Sequence, residues 1–341
     1  MTPWLEALVG DAAMAERFGD TADLAAMLAF GAALAGAQAK CGLIPEPAAA
    51  EIVAACATFA PDWHRLRAGM ARDGVTGPAF VAALRETLAE PHRRWLHFSA
   101  TSQDVTDTSL TLRLKPAVAD LDARLSAMLD TVGRLRATQG EVVLMGRTRM
   151  QRALPMTVAD KLDAWVAPLR RHRQRLAELA PRLLVVQFGG PVGTRDNAVA
   201  AGLAARLGLG DAPCWHTARD NIVEFGGWLA MLCGSLGKVG QDVALLAQDE
   251  VGAVRLASGG ASSAMPHKSN PIAAETLVAL ARYAAALSGG LGQAMVAENE
   301  RSGAAWTLEW MLLPPLAIAA AAALRHAEAM LSGLTFVAEP P

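Results

Sequence analysis

Three long segments of the chain carry apolar residues at alternating steps of three and four positions, within residues 118–135, 158–179 and 222–246. This spacing keeps one apolar stripe against a neighbouring helix over many turns, which is typical of a long helical bundle. A fourth, looser pattern follows Pro271. No comparable run alternates with period two. The sequence therefore predicts an all-α protein built on a bundle of long, nearly antiparallel helices.

Residues 1–108 differ from the rest of the chain, because their helical patterns are shorter. These patterns cover residues 24–39, 48–59 and 79–88, and prolines and glycines separate them. Pro and Gly mark turns and loops between elements. We therefore expect a small N-terminal helical domain at residues 1–108 and a long-helix bundle domain at residues 109–341.

The third long helix carries several glycines, although each costs up to ~1 kcal/mol relative to alanine. They are Gly226, Gly227, Gly234, Gly237 and Gly240. Small residues on an apolar helix let other helices approach closely. Those helices belong either to the same chain or to other subunits, and the sequence leaves both readings open.

Composition argues against several classes of partner. The 341-residue chain is 52% hydrophobic and 19% charged, with a formal net charge of -2. We therefore expect a large buried core and neither a nucleic-acid partner nor an anionic membrane partner. The basic run at residues 170–175 is typical of the solvated side of an amphipathic helix.

Cysteine use and the N-terminus favour a cytoplasmic protein. The four cysteines are widely spaced and form no CxxC pair, which is typical of reduced thiols. The N-terminus lacks a basic start followed by an apolar stretch, so we expect no signal peptide. The apolar stretch at residues 310–324 is interrupted by Pro314 and Pro315, and we expect it to fall short of a membrane span.

Two polar segments flank the first long helix and carry groups suited to binding carboxylates. Thr101 and Ser102 offer hydroxyls and backbone N–H groups just ahead of the helix, where its dipole favours an anion. An ordinary N-cap is the structural alternative. After the helix, an arginine-rich segment supplies a dense set of anion-recognising donors. Its candidate binding residues are Arg147, Thr148, Arg149 and Gln151.

Two further polar segments lie before and after the third long helix. His216 and Arg219 precede it, and His216 is a candidate acid, base or oxyanion donor, although a lone histidine is more often structural. The loop SGGASSAMPHKSNP at residues 258–271 follows it. Its glycines permit movement, and Pro271 marks the start of the next helix with Asn270 as its cap. We expect a mobile loop that closes over a substrate.

Several other chemistries find no support in the sequence. There is no metal-ligand spacing, no P-loop and no G-x-G-x-x-G motif after a strand. The loop serines have neither a G-x-S-x-G elbow nor a Ser/His/Asp pattern, which disfavours a hydrolase. We therefore expect acid–base chemistry without a cofactor, on a small polyanionic substrate.

These four segments, in this order and on long helices, resemble those of the fumarase/aspartase superfamily. Residues 261–271 resemble its GSSxMPxKxNP loop, with Ala261 in place of the glycine, and residues 101–104 resemble its TSxD segment. The resemblance implies an all-α homotetramer with a twenty-helix core, in which each active site combines segments of three subunits. A small helical domain usually follows the bundle, and we expect it to be absent because the chain reaches Pro341 soon after the last bundle helix.

The same resemblance implies roles for individual residues. Ser262 is the catalytic acid/base, and Ser263 supports it. Lys268 and Asn270 bind the carboxylate that takes up negative charge during the reaction, and the TSxD hydroxyls bind a second carboxylate. No role follows for His97.

Within the superfamily, the segments resemble most closely the cycloisomerases that lactonise carboxymuconate. The alternative is adenylosuccinate lyase or another fumarate-releasing lyase. Adenylosuccinate lyase shares the SSAMPHK motif but normally has a histidine general acid at the position of Arg149. Loss of that histidine favours internal lactone formation, in which no leaving group departs. A non-catalytic member is disfavoured because the serines, lysine and asparagine of the loop are all present.

Overall fold

The computed structural model describes residues 2–261, 263–265 and 268–339. The helices of this part of the chain are Pro3–Val9 (α1), Ala12–Arg17 (α2), Asp20–Lys40 (α3), Glu46–Thr58 (α4), Trp63–Asp73 (α5), Gly77–Glu86 (α6), Ser102–Gln139 (α7), Val158–Leu183 (α8), Asn197–Leu207 (α9), Asp220–Leu246 (α10), Ile272–Gln293 (α11) and Gly303–Ser332 (α12). The strands are Val143–Thr148 (β1), Gln151–Thr157 (β2), Val254–Leu256 (β3), Gly260–Ala261 (β4), Ser269–Asn270 (β5) and Leu334–Phe336 (β6). The predicted all-α fold class is confirmed.

The bundle consists of α7, α8, α10, α11 and α12. Helix α7 packs against α8 and α12, while α10 packs against α8, α11 and α12. The three predicted long segments correspond to α7, α8 and α10, and the looser fourth pattern corresponds to α11. Apolar periodicity therefore identifies the helices that have a distinct polar side.

The periodicity does not identify α12. Most of its alanines are buried, so no regular polar face interrupts the apolar run. Pro314 and Pro315 lie inside this helix, and the expectation that they interrupt the stretch is wrong. Each proline removes one backbone hydrogen bond, but Leu313, Leu316 and Ala317 beside them are buried and hold the helix in place.

Three helical stretches are long and apolar enough to cross a membrane, by length and composition. They are Ala12–Lys40, Asp220–Leu246 and Gly303–Ser332. Within the apolar 18-residue segment of each stretch, 50%, 56% and 56% of the residues are buried inside the protein. The expectation that residues 310–324 fall short of a span therefore does not hold by these two criteria. A helix that is apolar on most sides is also typical of the centre of a bundle.

Buried apolar residues form two clusters in the described part of the chain. The larger lies inside the bundle and includes Trp165 and Phe225. The smaller joins Phe30 and other residues of the N-terminal helices to Leu203 of α9. Two separate parts of the sequence therefore build the smaller core, because α9 returns to the N-terminal helices. The domain boundary after residue 108 stays a prediction.

Short strands pair at one end of the bundle. β1 and β2 form an antiparallel hairpin, β3 pairs with β6, and β4 pairs with β5. The hairpin is a correction, because the sequence predicts only a polar segment between two long helices here. Most of β2 is exposed on both of its faces, so no alternation of apolar and polar residues marks it in the sequence.

The glycines of α10 divide into two sets. A Cβ atom at Gly226, Gly237 or Gly240 would come within 2.6 Å of an atom of α11. At Gly227 and Gly234, a Cβ would meet no atom of a neighbouring element within 4 Å in the described part of the chain. The first set allows α10 and α11 of one chain to pack closely, whereas the second set lies on an outer face that is open to another subunit.

Replacing Gly240 with alanine is expected to lower the free energy of unfolding by about 1–3 kcal/mol. The new Cβ would lie 2.6 Å from the Ala274 carbonyl oxygen and 2.8 Å from the Leu277 Cβ. The matched control is Gly133→Ala on α7, where a Cβ would meet no described neighbour within 4 Å, and it should raise stability by up to ~1 kcal/mol. Urea unfolding compares the two variants, and equal effects would contradict the packing assignment.

Candidate active site

Thr101 and Ser102 lie where α7 begins, at the end of the bundle that we call the α7 start. Thr101 is the N-cap, and its backbone N–H donates to the Asp104 carboxylate at 2.9 Å. This reciprocal arrangement is a capping box, so the structural alternative for Thr101 is observed. Both side chains are only half-buried, and their predicted role in carboxylate binding stays a prediction.

Asp104 is fully buried and organises the α7 start. Its carboxylate accepts hydrogen bonds from the backbone N–H groups of Gly189 at 2.8 Å and Gly190 at 3.0 Å. It also lies 2.9 Å from Nε2 of His216. An ionised carboxylate can only accept hydrogen bonds. Nε2 of His216 must therefore carry the hydrogen in its contact with Asp104.

His216 is held as a buried cation. Burial opposes its protonation, but hydrogen bonds and charge interactions with Asp104 and Cys214 outweigh burial and raise the pKa of His216 to about 9. The residue is 5% exposed, and its Nδ1 forms no hydrogen bond of regular geometry with a described residue. At neutral pH the ring therefore carries a positive charge, which suits an anionic partner.

This protonation links stability to pH. The pKa of His216 rises from 6.5 to about 9 on folding, so its contribution is complete below pH 6.5 and is lost as the pH rises towards 9. Relative to His216→Gln, the wild-type protein is expected to lose roughly 3 kcal/mol of unfolding free energy over that window. Urea unfolding between pH 6 and pH 9.5 measures the difference.

The matched control for this prediction is His172→Gln. Burial lowers the pKa of His172 to about 4, so that histidine is neutral throughout the same window in both the folded and the unfolded state above pH 7. The difference between wild type and His172→Gln should therefore stay flat from pH 7 to pH 9.5. A flat difference for His216→Gln as well would show that His216 is not held protonated.

Arg219, another candidate binding residue, lies between two buried carboxylates. Its Nη1 donates to Asp107 at 2.7 Å, and its Nε and Nη2 donate to Glu309 at 2.9 and 2.6 Å. The guanidinium also stacks over the Trp215 ring, 4.6 Å from the centroid. Because these partners occupy its donors, direct contact with a substrate would require an ion pair to break. The geometry gives Arg219 a role in positioning the segment around His216.

Charge in this cluster is not balanced, because two carboxylates share one guanidinium. Burial and the Asp107 carboxylate raise the pKa of Glu309, against the opposing effect of Arg219. The two carboxylates raise the pKa of Arg219 although burial opposes its charge. Trp306 adds a neutral donor to Asp107 through its indole N–H at 2.9 Å.

No role is expected from the sequence for Asp104, Asp107 or Glu309. A buried carboxylate costs free energy unless it is paired, but Asp104 and Asp107 lie among polar residues of α7, so nothing in the sequence marks them as buried. Residues 297–310, which contain Glu309, lie against the α7 start, where Arg301 donates to Gln103 at 3.2 Å. The three carboxylates hold the side chains of His216 and Arg219 in place.

His97 lies beside the same cluster, with φ of 60°. Burial lowers the pKa of His97 to about 4, although the charge of Asp104 opposes this. The two histidines near Asp104 therefore hold different charge states at neutral pH, with His216 protonated and His97 neutral.

The arginine-rich segment lies at the opposite end of the bundle, which we call the hairpin end. Thr148 pairs with Gln151 across the β1–β2 hairpin, and Arg149 and Met150 form its two-residue turn with φ of 49° and 66°. Positive φ at both central residues is type I′ geometry, which asparagine and glycine usually occupy. Larger residues held in this conformation favour a functional role for the turn.

Arg147 and Arg149 differ in their surroundings. Arg147 is bound within the chain, with Nη2 donating to Glu339 at 2.5 Å. Arg149 is exposed and lines a cleft of about 370 Å³ together with Lys161 and Asp242. Arg149 is therefore the better placed of the two to bind a substrate carboxylate.

The serine loop also lies at the hairpin end, and the β4–β5 pair closes it. Gly260 pairs with Asn270, and Lys268 donates its backbone N–H to Met265 at 3.0 Å. Ser263 is exposed. Ser262, the predicted acid/base, lies outside the described residues, so its assignment stays a prediction.

The start of the helix after the loop differs by one residue from the expectation. Asn270 belongs to β5, and Pro271 is the N-cap of α11, which begins at Ile272. The expected asparagine cap is therefore wrong, because Asn270 is already used in the strand pair. Lys268 is exposed and Asn270 half-buried, and carboxylate binding by both stays a prediction.

One chain does not bring the predicted site residues together. Helix α7 is 38 residues long, which corresponds to about 57 Å at 1.5 Å per residue. Thr101, Ser102 and His216 lie at its start, whereas the hairpin follows its C-terminal end. Strand β3 precedes the serine loop and pairs with β6, where the Phe336 N–H donates to Gln139, the last residue of α7, at 2.7 Å.

Comparison with known proteins agrees with this architecture. A family described as Lyase matches residues 9–285. The 3-carboxy-cis,cis-muconate cycloisomerase of Pseudomonas aeruginosa is 42% identical, over 93% of this chain and 72% of that protein. The crystal structure of 3-carboxy-cis,cis-muconate lactonizing enzyme from Pseudomonas putida is 38% identical with a TM-score of 0.91, over 98% of this chain and 78% of that chain.

A second crystal structure, of a fumarate lyase from Mesorhizobium sp. BNC1, is 34% identical with a TM-score of 0.90, over 96% of this chain and 76% of that chain. Fold and sequence together define a helical lyase of the fumarase/aspartase type. The chain belongs to the Lyase family, and the resemblance seen in the sequence is confirmed.

Proposed function

We propose that the chain is a cycloisomerase that converts 3-carboxy-cis,cis-muconate to its lactone, 4-carboxymuconolactone, without a cofactor. The observation that carries this proposal is Arg149, which occupies the exposed turn of the hairpin, at the position where adenylosuccinate lyases normally have a histidine general acid. The similarity to two proteins named for this reaction supports it. A lactonising enzyme needs no acid for a leaving group, and an arginine there serves instead to bind a carboxylate.

The reaction requires one proton and several anion-binding donors. One carboxylate oxygen of the substrate forms a bond to a carbon of a double bond, and the electron pair of that double bond moves towards the neighbouring carbon. That carbon takes a proton from Ser262, while Lys268 and Asn270 hold the carboxylate that carries the developing charge. The positive charges of His216 and Arg149 suit the other carboxylates.

We propose further that the active enzyme is a homotetramer whose sites are shared between subunits. Residues at the α7 start and at the hairpin end of one chain are about 57 Å apart, so a site that contains both sets must take them from different chains. The outer face of α10 at Gly227 and Gly234 offers a surface on which helices of another subunit can pack.

A mixing experiment tests the shared site. Ser102→Ala and Ser262→Ala variants are each expected to be nearly inactive alone, because each lacks one part of every site. Unfolding and refolding them together should restore up to about a quarter of wild-type activity, since some mixed sites then receive both intact parts. The control refolds each variant by itself. Absence of recovery in mixed tetramers of confirmed composition would refute the shared site.

Substrate choice is tested directly by assay. Incubation with 3-carboxy-cis,cis-muconate should remove the absorbance of the conjugated diene, whereas incubation with adenylosuccinate should release no fumarate. The reverse pattern would establish the fumarate-releasing alternative, which the comparisons do not favour. A cytoplasmic location and a role in protocatechuate catabolism through β-ketoadipate follow from this proposal, as does the absence of nucleic-acid and membrane partners.

A further inference from the structure

Cys214 lies against the His216–Asp104 pair, and the proposed reaction does not use it. A Cβ built on Gly189 would lie 2.3 Å from the Cys214 Sγ and 3.1 Å from the His216 Cε1. The sulfur and the imidazole therefore border the same small space, which exists because residue 189 is a glycine. Gly193 borders it from another side, since its Cβ would lie 3.7 Å from the same sulfur.

The imidazole is oriented to act on this sulfur. Nε2 of His216 lies 2.9 Å from the Asp104 carboxylate, which fixes the ring and leaves Nδ1 as its other polar atom. The residue is 5% exposed, and Nδ1 is buried without a regular hydrogen bond to a described residue. A thiol beside an imidazole that a third group orients is the arrangement found at reactive cysteines in many proteins.

We propose that Cys214, His216 and Asp104 form a thiol–imidazole–carboxylate cluster that makes Cys214 a site of covalent modification by α,β-unsaturated carbonyl compounds. The side chains of Cys214 and His216 are in contact, because a hydrogen bond with Cys214 is among the causes that raise the pKa of His216. This inference does not depend on the proposed lactonisation, because it concerns only the thiol and its neighbours.

The four cysteines differ in their exposure to solvent. Cys214 is partly exposed, so a small reagent can reach it, and Cys41 at the end of α3 is exposed. Cys56 and Cys233 are buried, and burial raises their pKa values to about 11 and about 12. Cys41 is therefore the internal reference for an ordinary accessible thiol, and the two buried cysteines report unfolding.

The modification needs no reactant other than the cluster and the reagent. The sulfur forms a bond to the β-carbon of the reagent, and the π bond between the α- and β-carbons breaks. The electron pair moves onto the carbonyl as an enolate. The α-carbon then takes the proton that Cys214 and His216 share, so the adduct is a thioether with no other product.

The test uses N-ethylmaleimide at a limiting concentration on the intact protein, with peptide mass spectrometry to measure the labelling rate of each cysteine. We expect Cys214 to react about tenfold faster than Cys41, although it is less exposed. His216→Gln should lower the rate at Cys214 about tenfold and leave that at Cys41 unchanged. Glutamine keeps a side-chain N–H that can donate to Asp104 but removes the ring nitrogen beside the sulfur.

Two results would overturn the proposal. One is a wild-type rate at Cys214 no higher than that at Cys41. The other is an unchanged ratio of the two rates in His216→Gln. If this variant exposes Cys56 and Cys233 to the reagent, it has lost its fold, and the wild-type ratio alone decides the outcome.

Discussion

Replacement of Ser262 with alanine is expected to lower kcat by about 10²–10⁴-fold, the usual contribution of a positioned acid or base. The expected role is proton delivery to the carbon next to the developing carboxylate charge, which no methyl group can perform. Substrate binding should change little, since Lys268, Asn270 and the arginine turn are the groups proposed to bind the carboxylates. Steady-state kinetics with 3-carboxy-cis,cis-muconate separates kcat from KM.

Ser258→Ala is the matched control for this prediction. Ser258 is an exposed serine at the start of the same loop, and the change should leave kcat within about twofold. Both variants should elute at the same size as the wild type in size-exclusion chromatography. A Ser262→Ala enzyme with wild-type kcat would show that Ser262 is not the proton donor.

The second large effect is expected at Arg219. Arg219→Met leaves Asp107 and Glu309 buried without their guanidinium, and breaking such a cluster from one side costs about 3–5 kcal/mol. Glu309 is 1% exposed and Asp107 is fully buried, so water cannot replace the lost partner without local opening. Urea unfolding measures the loss.

Arg182→Met provides the comparison for Arg219. Arg182 forms a similar two-point ion pair with Glu224, but both side chains are about half exposed. Exposed ion pairs contribute little to stability, so this variant should unfold almost like the wild type. Similar losses in the two variants would show that burial of the Arg219 cluster does not control its contribution.

The long helices could be predicted from the sequence because their packing is repetitive. Apolar residues of α7, α8 and α10 return to the same stripe at about every turn, and a regular stripe is visible without knowledge of its partner. Helix α12 lacks such a stripe because its alanines are buried on several sides. The hairpin is hidden for the opposite reason, since β2 is largely exposed.

The polar segments of the site could also be predicted, but the contacts of their side chains could not. Arg219 meets Asp107 and Glu309 across 112 and 90 residues of sequence, and His216 meets Asp104 across 112. Nothing local marks such pairs, because they form only when separate helices align. A residue that looks like a substrate ligand in the sequence can therefore be held by the protein itself, as Arg219 is.

The separation of the site into two ends also follows from the structure. In the sequence, the TSxD segment and the arginine-rich segment are successive polar stretches on either side of one helix. The length of α7 turns this order into a distance of about 57 Å. The proposal that each site is shared between subunits thereby gains a geometric reason.

Lactone formation by internal addition and proton transfer can be followed by NMR spectroscopy of the product when 3-carboxy-cis,cis-muconate reacts in D₂O. The expected product is 4-carboxymuconolactone with one deuterium on the carbon adjacent to the one that forms the new C–O bond, and no fumarate is released. Unchanged substrate from a folded enzyme that releases fumarate from adenylosuccinate would contradict this mechanism.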